Sequence, residues 1–223
     1  MPKNVPTSAV LRSKSLAPAM DRFVAGIHRR LKRYGYKLIL RKAPYVFDCG
    51  MPCSGYTDDE NKMIAVATGK PANAWVSVLA HEASHADQSV EQCASWRVLE
   101  AEPLSPHVLL DEWLMGNIQL KKKNAKDMIG MIQNNELDCE KRAVRKMMHA
   151  GLDVDFPYLI QQANSYIYFY TMCFRRRAWY PVGASPYSFK ELYSAMPTKF
   201  LGLNDYWEIP RRYVKLYDRL VFN

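Results

Sequence analysis

Lys62-Met63-Ile64-Ala65-Val66-Ala67-Thr68-Gly69-Lys70-Pro71-Ala72-Asn73-Ala74-Trp75-Val76-Ser77-Val78-Leu79-Ala80-His81-Glu82-Ala83-Ser84-His85 is the stretch that decides the fold. Its first part is short and rich in Ile, Val and Thr, and Gly69 closes it, which predicts a strand over 62–68. Pro71 and Asn73 then mark a helix entry, with Asn73 as the expected N-cap. Beyond them no Gly or Pro interrupts the run. Trp75 and Leu79 stand four apart and Val78 stands three before His81, so one apolar stripe leads straight into His81-Glu82-Ala83-Ser84-His85. Residues four apart share a helical face, so both imidazoles can address one metal ion. The glutamate beside the first histidine is then placed to act as general base on a water at that metal.

Two histidines do not complete a catalytic zinc site, which takes three protein ligands and one open position. The best third donor lies in Asn135-Glu136-Leu137-Asp138-Cys139-Glu140. Glu136 and Glu140 are four apart, and Ile129, Ile132, Ala143 and Met147 continue their face, so two acids sit in an apolar stripe. A buried carboxylate is costly unless paired or bound to metal. Glu136 as ligand and Glu140 as acceptor for a ligand imidazole N–H would account for both. The competing donors fit less well. Asp138 faces elsewhere on a helix, Glu91 and Glu100 lack an apolar stripe, and Asp87 reads as a surface acid. Cys139 is a soft donor beside Glu136, though such a cysteine is more often a small buried hydrophobe. The plain alternative is that acids four apart decorate a solvated helix and the two histidines are structural.

A strand followed by a helix bearing His-Glu-x-x-His, with Asn-Glu-x-x-x-acid on a later helix, resembles the gluzincin metallopeptidases, the thermolysin-like clan. Glu136-Leu137-Asp138-Cys139-Glu140-Lys141-Arg142-Ala143 is also similar to the Glu-x-x-x-Asp-x-x-Ala pattern of membrane-associated gluzincins, with Glu140 where that pattern has Asp. The resemblance runs from the strand at Lys62 to the helix near Met147. It implies one Zn2+ per chain held by His81, His85 and Glu136, with Glu82 as general base and Glu140 as partner of a ligand. It also implies an α+β, mostly helical, zincin-like domain with a small N-terminal sheet. The edge strand of that sheet, expected at Met63, Ile64, Ala65 and Val66, would flank the active-site helix and bind an extended peptide by β-augmentation. No histidine follows His149, so a second donor to a developing oxyanion is sought on the late aromatic helix, at Tyr166, Tyr170 or Arg177.

The remainder of the chain reads as mostly helical. Residues 1–15 are a loose Pro-, Ser- and Lys-containing arm, 16–180 one metallopeptidase domain, and 181–223 an aromatic and Pro-rich extension packed on it. Leu16, Met20, Phe23, Val24, Ile27 and Leu31 recur at helical spacing, predicting a helix over 16–34 that ends at Gly35. A strand follows over 36–40, then a loop over 43–61. Helices are expected over 73–100, 107–120, 125–150, 158–177 and 210–220, with loop over 181–207. Gly151 is the expected C-cap of the third of these.

Composition bounds the function. A chain of 223 residues with 48% hydrophobic and 24% charged residues can bury a sizeable core. No run approaches a membrane span, the N-terminus lacks a signal core, and five cysteines make a poor disulfide framework. Cys49 and Cys53 lack the partners that a structural zinc would need. A cytoplasmic setting is therefore expected. The net charge of +9 favours acidic partners, protein or nucleic acid. His28-Arg29-Arg30-Leu31-Lys32-Arg33 reads mainly as a solvated helix face, whereas Arg175-Arg176-Arg177 beside Trp179 and Tyr180 could stack on bases. Three functions stay open: a zinc endopeptidase cutting peptide bonds with a metal-activated water, a basic nucleic-acid-binding protein, and a structural, virion-type protein on the same scaffold. The intact Glu82 argues against the last, since a silent site has little use for that carboxylate.

Overall fold

The computed structural model describes residues 18–48 and 50–223; the expected arm at 1–15 and Cys49 lie outside the described residues. The protein is α+β and mostly helical, and it divides into two compact units. The first comprises residues up to Glu91 together with Arg142–Val154, and the second Gln92–Lys141 together with Asp155–Asn223. Among the described residues, no helix is long and apolar enough to cross a membrane.

In the first unit, α1 (Pro18–Arg33) buries Phe23, Val24, Ile27 and Leu31, the stripe expected from their spacing. β1 (Lys37–Arg41) then pairs in parallel with β5 (Met63–Ala67). The stretch 43–61 is not one loop. It contains a hairpin of β2 (Val46–Asp48) with β3 (Met51–Cys53), followed by β4 (Gly55–Asp58), which runs antiparallel to β5. Strands of three or four residues that include Pro52 and Gly55 are too short for an alternating pattern to stand out.

The sheet order is β1-β5-β4, which corrects the expected edge strand. Met63, Ile64, Ala65 and Val66 lie on the central strand, and β1 and β4 are the edges. The central position explains the unbroken apolar run of β5, because Ile64 to Ala67 are all buried, as a strand covered on both faces requires.

α2 (Ala72–Glu91) follows β5 and carries the His-Glu-x-x-His pentad. It begins one residue earlier than expected, so Asn73 lies within its first turn instead of capping it. Gln92 adopts a left-handed conformation (φ 49°) and ends the helix there, so the single helix foreseen over 73–100 is two: α2, and α3 (Ala94–Glu100).

The second unit is helical. It holds α3, α4 (Pro106–Met115), the first part of α5 (Lys122–His149), α6 (Phe156–Arg176), α7 (Lys190–Ser194) and α8 (Arg211–Leu220). Arg142 to His149 of α5 belong to the first unit, so one continuous helix has its two ends in different units. α6 is the spine of the second unit, with Ile167, Phe169, Tyr170, Met172 and Cys173 buried against Ile129, Ile132, Tyr206 and Tyr217. Its polar groups tie down the segment expected as loop over 181–207. Asn164 donates to the carbonyls of Pro197 (2.7 Å) and Lys199 (3.0 Å), and Gln161 to that of Met196 (2.9 Å). Within that segment the chain also forms α7 and two 3-10 turns, Pro186–Ser188 and Leu203–Tyr206.

β4 packs closely on α2 at Gly55. A Cβ there would stand 2.7 Å from Val78 Cγ1 and 3.1 Å from Glu82 Cγ, so β4 can lie on α2 only because residue 55 has no side chain. Gly55→Ala should cost about 1–3 kcal/mol of stability. Thermal denaturation should show the loss, and Val78→Ala in the same chain should recover part of it. A Gly55→Ala protein as stable as the parent would refute this packing.

Candidate metal centre

α2 presents His81 and His85 one turn apart, both half-buried, with ring centroids 4.8 Å apart in an edge-to-face arrangement. Their Nε2 atoms are separated by 3.2 Å. His85 Nδ1 lies 2.9 Å from Gln88 Oε1. An amide oxygen accepts only, and the Nδ1-protonated tautomer of His85 suits it, leaving a lone pair on Nε2. Two imidazole nitrogens this close suit a shared proton or a shared cation. Ligand atoms at adjacent corners of a zinc tetrahedron, with Zn–N bonds of about 2.0–2.1 Å, stand roughly 3.3 Å apart. The donor pair therefore fits zinc.

Glu82 is buried, 7% exposed, beside these rings in sequence but directed at the sheet. Thr57 Oγ1 on β4 lies 2.9 Å from Glu82 Oε2 and 2.9 Å from the Glu82 carbonyl oxygen. The hydroxyl can donate to either, and so fixes the carboxylate against the edge strand. A hydrogen bond to a charged acceptor is among the stronger ones in a folded protein.

In the second unit, Glu136 is 7% exposed and its stripe neighbours Ile129 and Ile132 are fully buried. Three tyrosines surround this acid pair. Tyr187 donates to Glu140 Oε1 (3.0 Å), Tyr166 and Tyr170 hydroxyls lie 3.0 Å apart, and Tyr166 stacks on Tyr187 at 5.1 Å. Burial raises all three phenols well above their usual range, with further raising by Glu136 at Tyr166 and Tyr170 and by Glu140 at Tyr187. They stay protonated near neutrality and act as neutral donors. Asp138 accepts from Ser95 Oγ (3.5 Å) and Cys93 Sγ (3.7 Å).

Two readings of the sequence change. Arg177, a candidate for oxyanion or substrate contact, is occupied elsewhere. It sits left-handed (φ 48°) at the end of α6, donates to the carbonyls of Trp113 (3.0 Å) and Ile118 (3.3 Å), and stacks over the Trp113 ring. Arg176 pairs with Asp218, so the Arg175–Arg177 cluster offers only Arg175 as an exposed cation without such a role. Asp87 is not a surface acid. It is 3% exposed and takes Arg30 Nε at 2.8 Å and Lys146 Nζ at 2.6 Å, so Arg30 is not merely part of a solvated face.

Three residues escaped the sequence reading: Thr57, Gln88 and Tyr187. Gln88 follows His85 at helical i, i+3 spacing and was within reach of that rule. Thr57 and Tyr187 come from distant elements and leave no local trace. No family model matches the chain, and neither the curated proteins nor the solved structures yield a match.

Gln88→Leu removes the acceptor that sets the His85 tautomer and should weaken zinc binding about 10–100-fold. Competition with a chromophoric chelator measures it. Unchanged affinity would show that the amide has no part in preparing His85.

Proposed function

We propose that the protein is a zinc-dependent endopeptidase with a zincin-like fold of gluzincin type. His81, His85 and Glu136 hold one Zn2+ per chain, and Glu82 is the general base. The observation that carries the reading is the arrangement on α2: two Nε2 atoms at tetrahedral-edge separation, one with its tautomer set by Gln88, beside a buried carboxylate held by Thr57. A structural pair of histidines has no need of that third element. Glu136 is supported as third ligand by its burial and by the helix that bears it. Within the first unit the last turns of α5 reach α2 through Lys146 to Ser84 and Asp87 and through Arg142 to Glu91 (2.6 Å).

Zinc bound there would polarise the scissile carbonyl and acidify water towards neutral pH. Glu82 takes the proton of the attacking water and hands it to the leaving amine. Tyr166 and Tyr170 are the donors best suited to a developing oxyanion, being protonated and close to Glu136. The substrate lies along β4. Ala67 N–H donates to Ser54 O at 2.9 Å, which fixes the antiparallel ladder so that Gly55 and Thr57 point their backbone groups away from β5. Among the described residues no strand pairs with that side, leaving it for an extended peptide. The net charge of +9 favours acidic segments of substrate.

Purified protein should contain about one zinc per chain and cleave a casein-like substrate, with activity lost to chelation and restored by zinc. Glu82→Gln should keep the metal and lose about 10²–10⁴-fold in rate. Thr57→Val should also keep the metal and lose roughly tenfold, the worth of one hydrogen bond to a charged group. Cleavage that survives Glu82→Gln would remove the proposed base, and a chain that binds no zinc would remove the whole reading.

A further inference from the structure

We propose that the first unit carries a second binding site, for a phosphate-bearing molecule with an apolar body. A cavity of about 480 Å3 lies between α1, the far face of α2 and the last turns of α5. That volume falls within the usual range for small-molecule sites. α1 lines it with Arg22, Gly26, Arg30 and Arg33, whose spacing of four, four and three keeps them on one face. α5 adds Lys146 and His149, and Phe23, Ile27 and Ala83 supply apolar wall.

Charge decides what the cavity accepts. Four cations, Arg22, Arg30, Arg33 and Lys146, line it against one carboxylate, Asp87, which gives a net +3 without His149. Asp87 spends its charge on Arg30 and Lys146 and thereby orients them. Arg22, Arg33 and His149 have no ion-pair partner among the described residues. Guanidinium groups along that face offer paired N–H donors to phosphate oxygens, and the apolar wall provides for a hydrophobic portion of the same ligand.

Gly26 is the independent observation. Glycine inside a helix is destabilising relative to alanine, and here neither conformation nor packing asks for it. Its backbone is ordinary helix, and a Cβ would meet nothing within 4 Å. What its missing side chain does is keep the wall of the cavity open. The site is independent of the metal reading: none of its lining residues is a proposed zinc ligand, and the test below runs on metal-free protein.

Calorimetric titration of the full chain with 1-naphthyl phosphate tests the proposal, with inorganic phosphate, 1-naphthol and phosphatidylglycerol vesicles as comparison ligands. Naphthyl phosphate should bind one to one, at least tenfold tighter than inorganic phosphate or naphthol. Gly26→Leu, which fills the cavity, and the exposed pair Arg22→Glu with Arg33→Glu should each weaken it at least tenfold, at nearly unchanged melting temperature. Should Gly26→Leu fail to fold, the exposed pair, which leaves the core intact, decides the matter. Absence of saturable binding, or binding indifferent to these substitutions, would overturn the site. So would vesicle binding that exceeds naphthyl phosphate and ignores Gly26→Leu, which would assign the basic face to lipid headgroups.

Discussion

Asp87, its side chain 3% exposed, is held between Arg30 of α1 and Lys146 of α5. A carboxylate in that position is tolerable only while both partners stay, and removing one member of a buried pair typically costs about 3–5 kcal/mol. The partners are themselves partly exposed, at 40% and 18%, so the net gain from the pairing is modest while its directional demand is strict. α1, α2 and the end of α5 are thereby held in one arrangement. Lys146 also reaches Ser84, and Arg142 reaches Glu91, which repeats the clamp one turn further along α2.

This clamp gives α2 two faces with different work. His81, Glu82 and His85 form one, supported from the sheet by Thr57 and from within the helix by Gln88. Ala83 and Asp87 form the other, where the helix walls a basic cavity. The last turns of α5 grip the second face within the first unit. The tyrosines around Glu136 and Glu140 add a dry, hydrogen-bonding surround in which a carboxylate keeps its direction.

Much of this was legible in the sequence, and the reasons are specific. The helix carrying the pentad and the apolar stripe of α1 follow from periodicity, and the strand at Met63–Ala67 from its short β-branched composition closed by Gly69. Gly151 stops α5 with φ 64°, as its position after the last stripe residue foretold. The edge strand was misplaced because centrality in a sheet depends on which strands pair, and β4 is too short to announce itself. Asp87 was misread because a polar residue on a helix is normally solvated, and only the arrival of two distant cations reverses that. Arg177 was named for its place on the late aromatic helix, where backbone carbonyls of Trp113 and Ile118 occupy its guanidinium. The break at Gln92 has no signal among residues that all tolerate helix.

The donor set is the point on which the account turns, because Cys139 lies three residues after Glu136 on α5 and is fully buried. X-ray absorption at the zinc edge of the metal-loaded protein separates the two. Two imidazoles with light oxygen donors, all at about 2.0–2.2 Å and with no sulfur scattering, is the predicted result. A sulfur shell at about 2.3 Å would replace Glu136 by a thiolate and contradict the gluzincin ligand set.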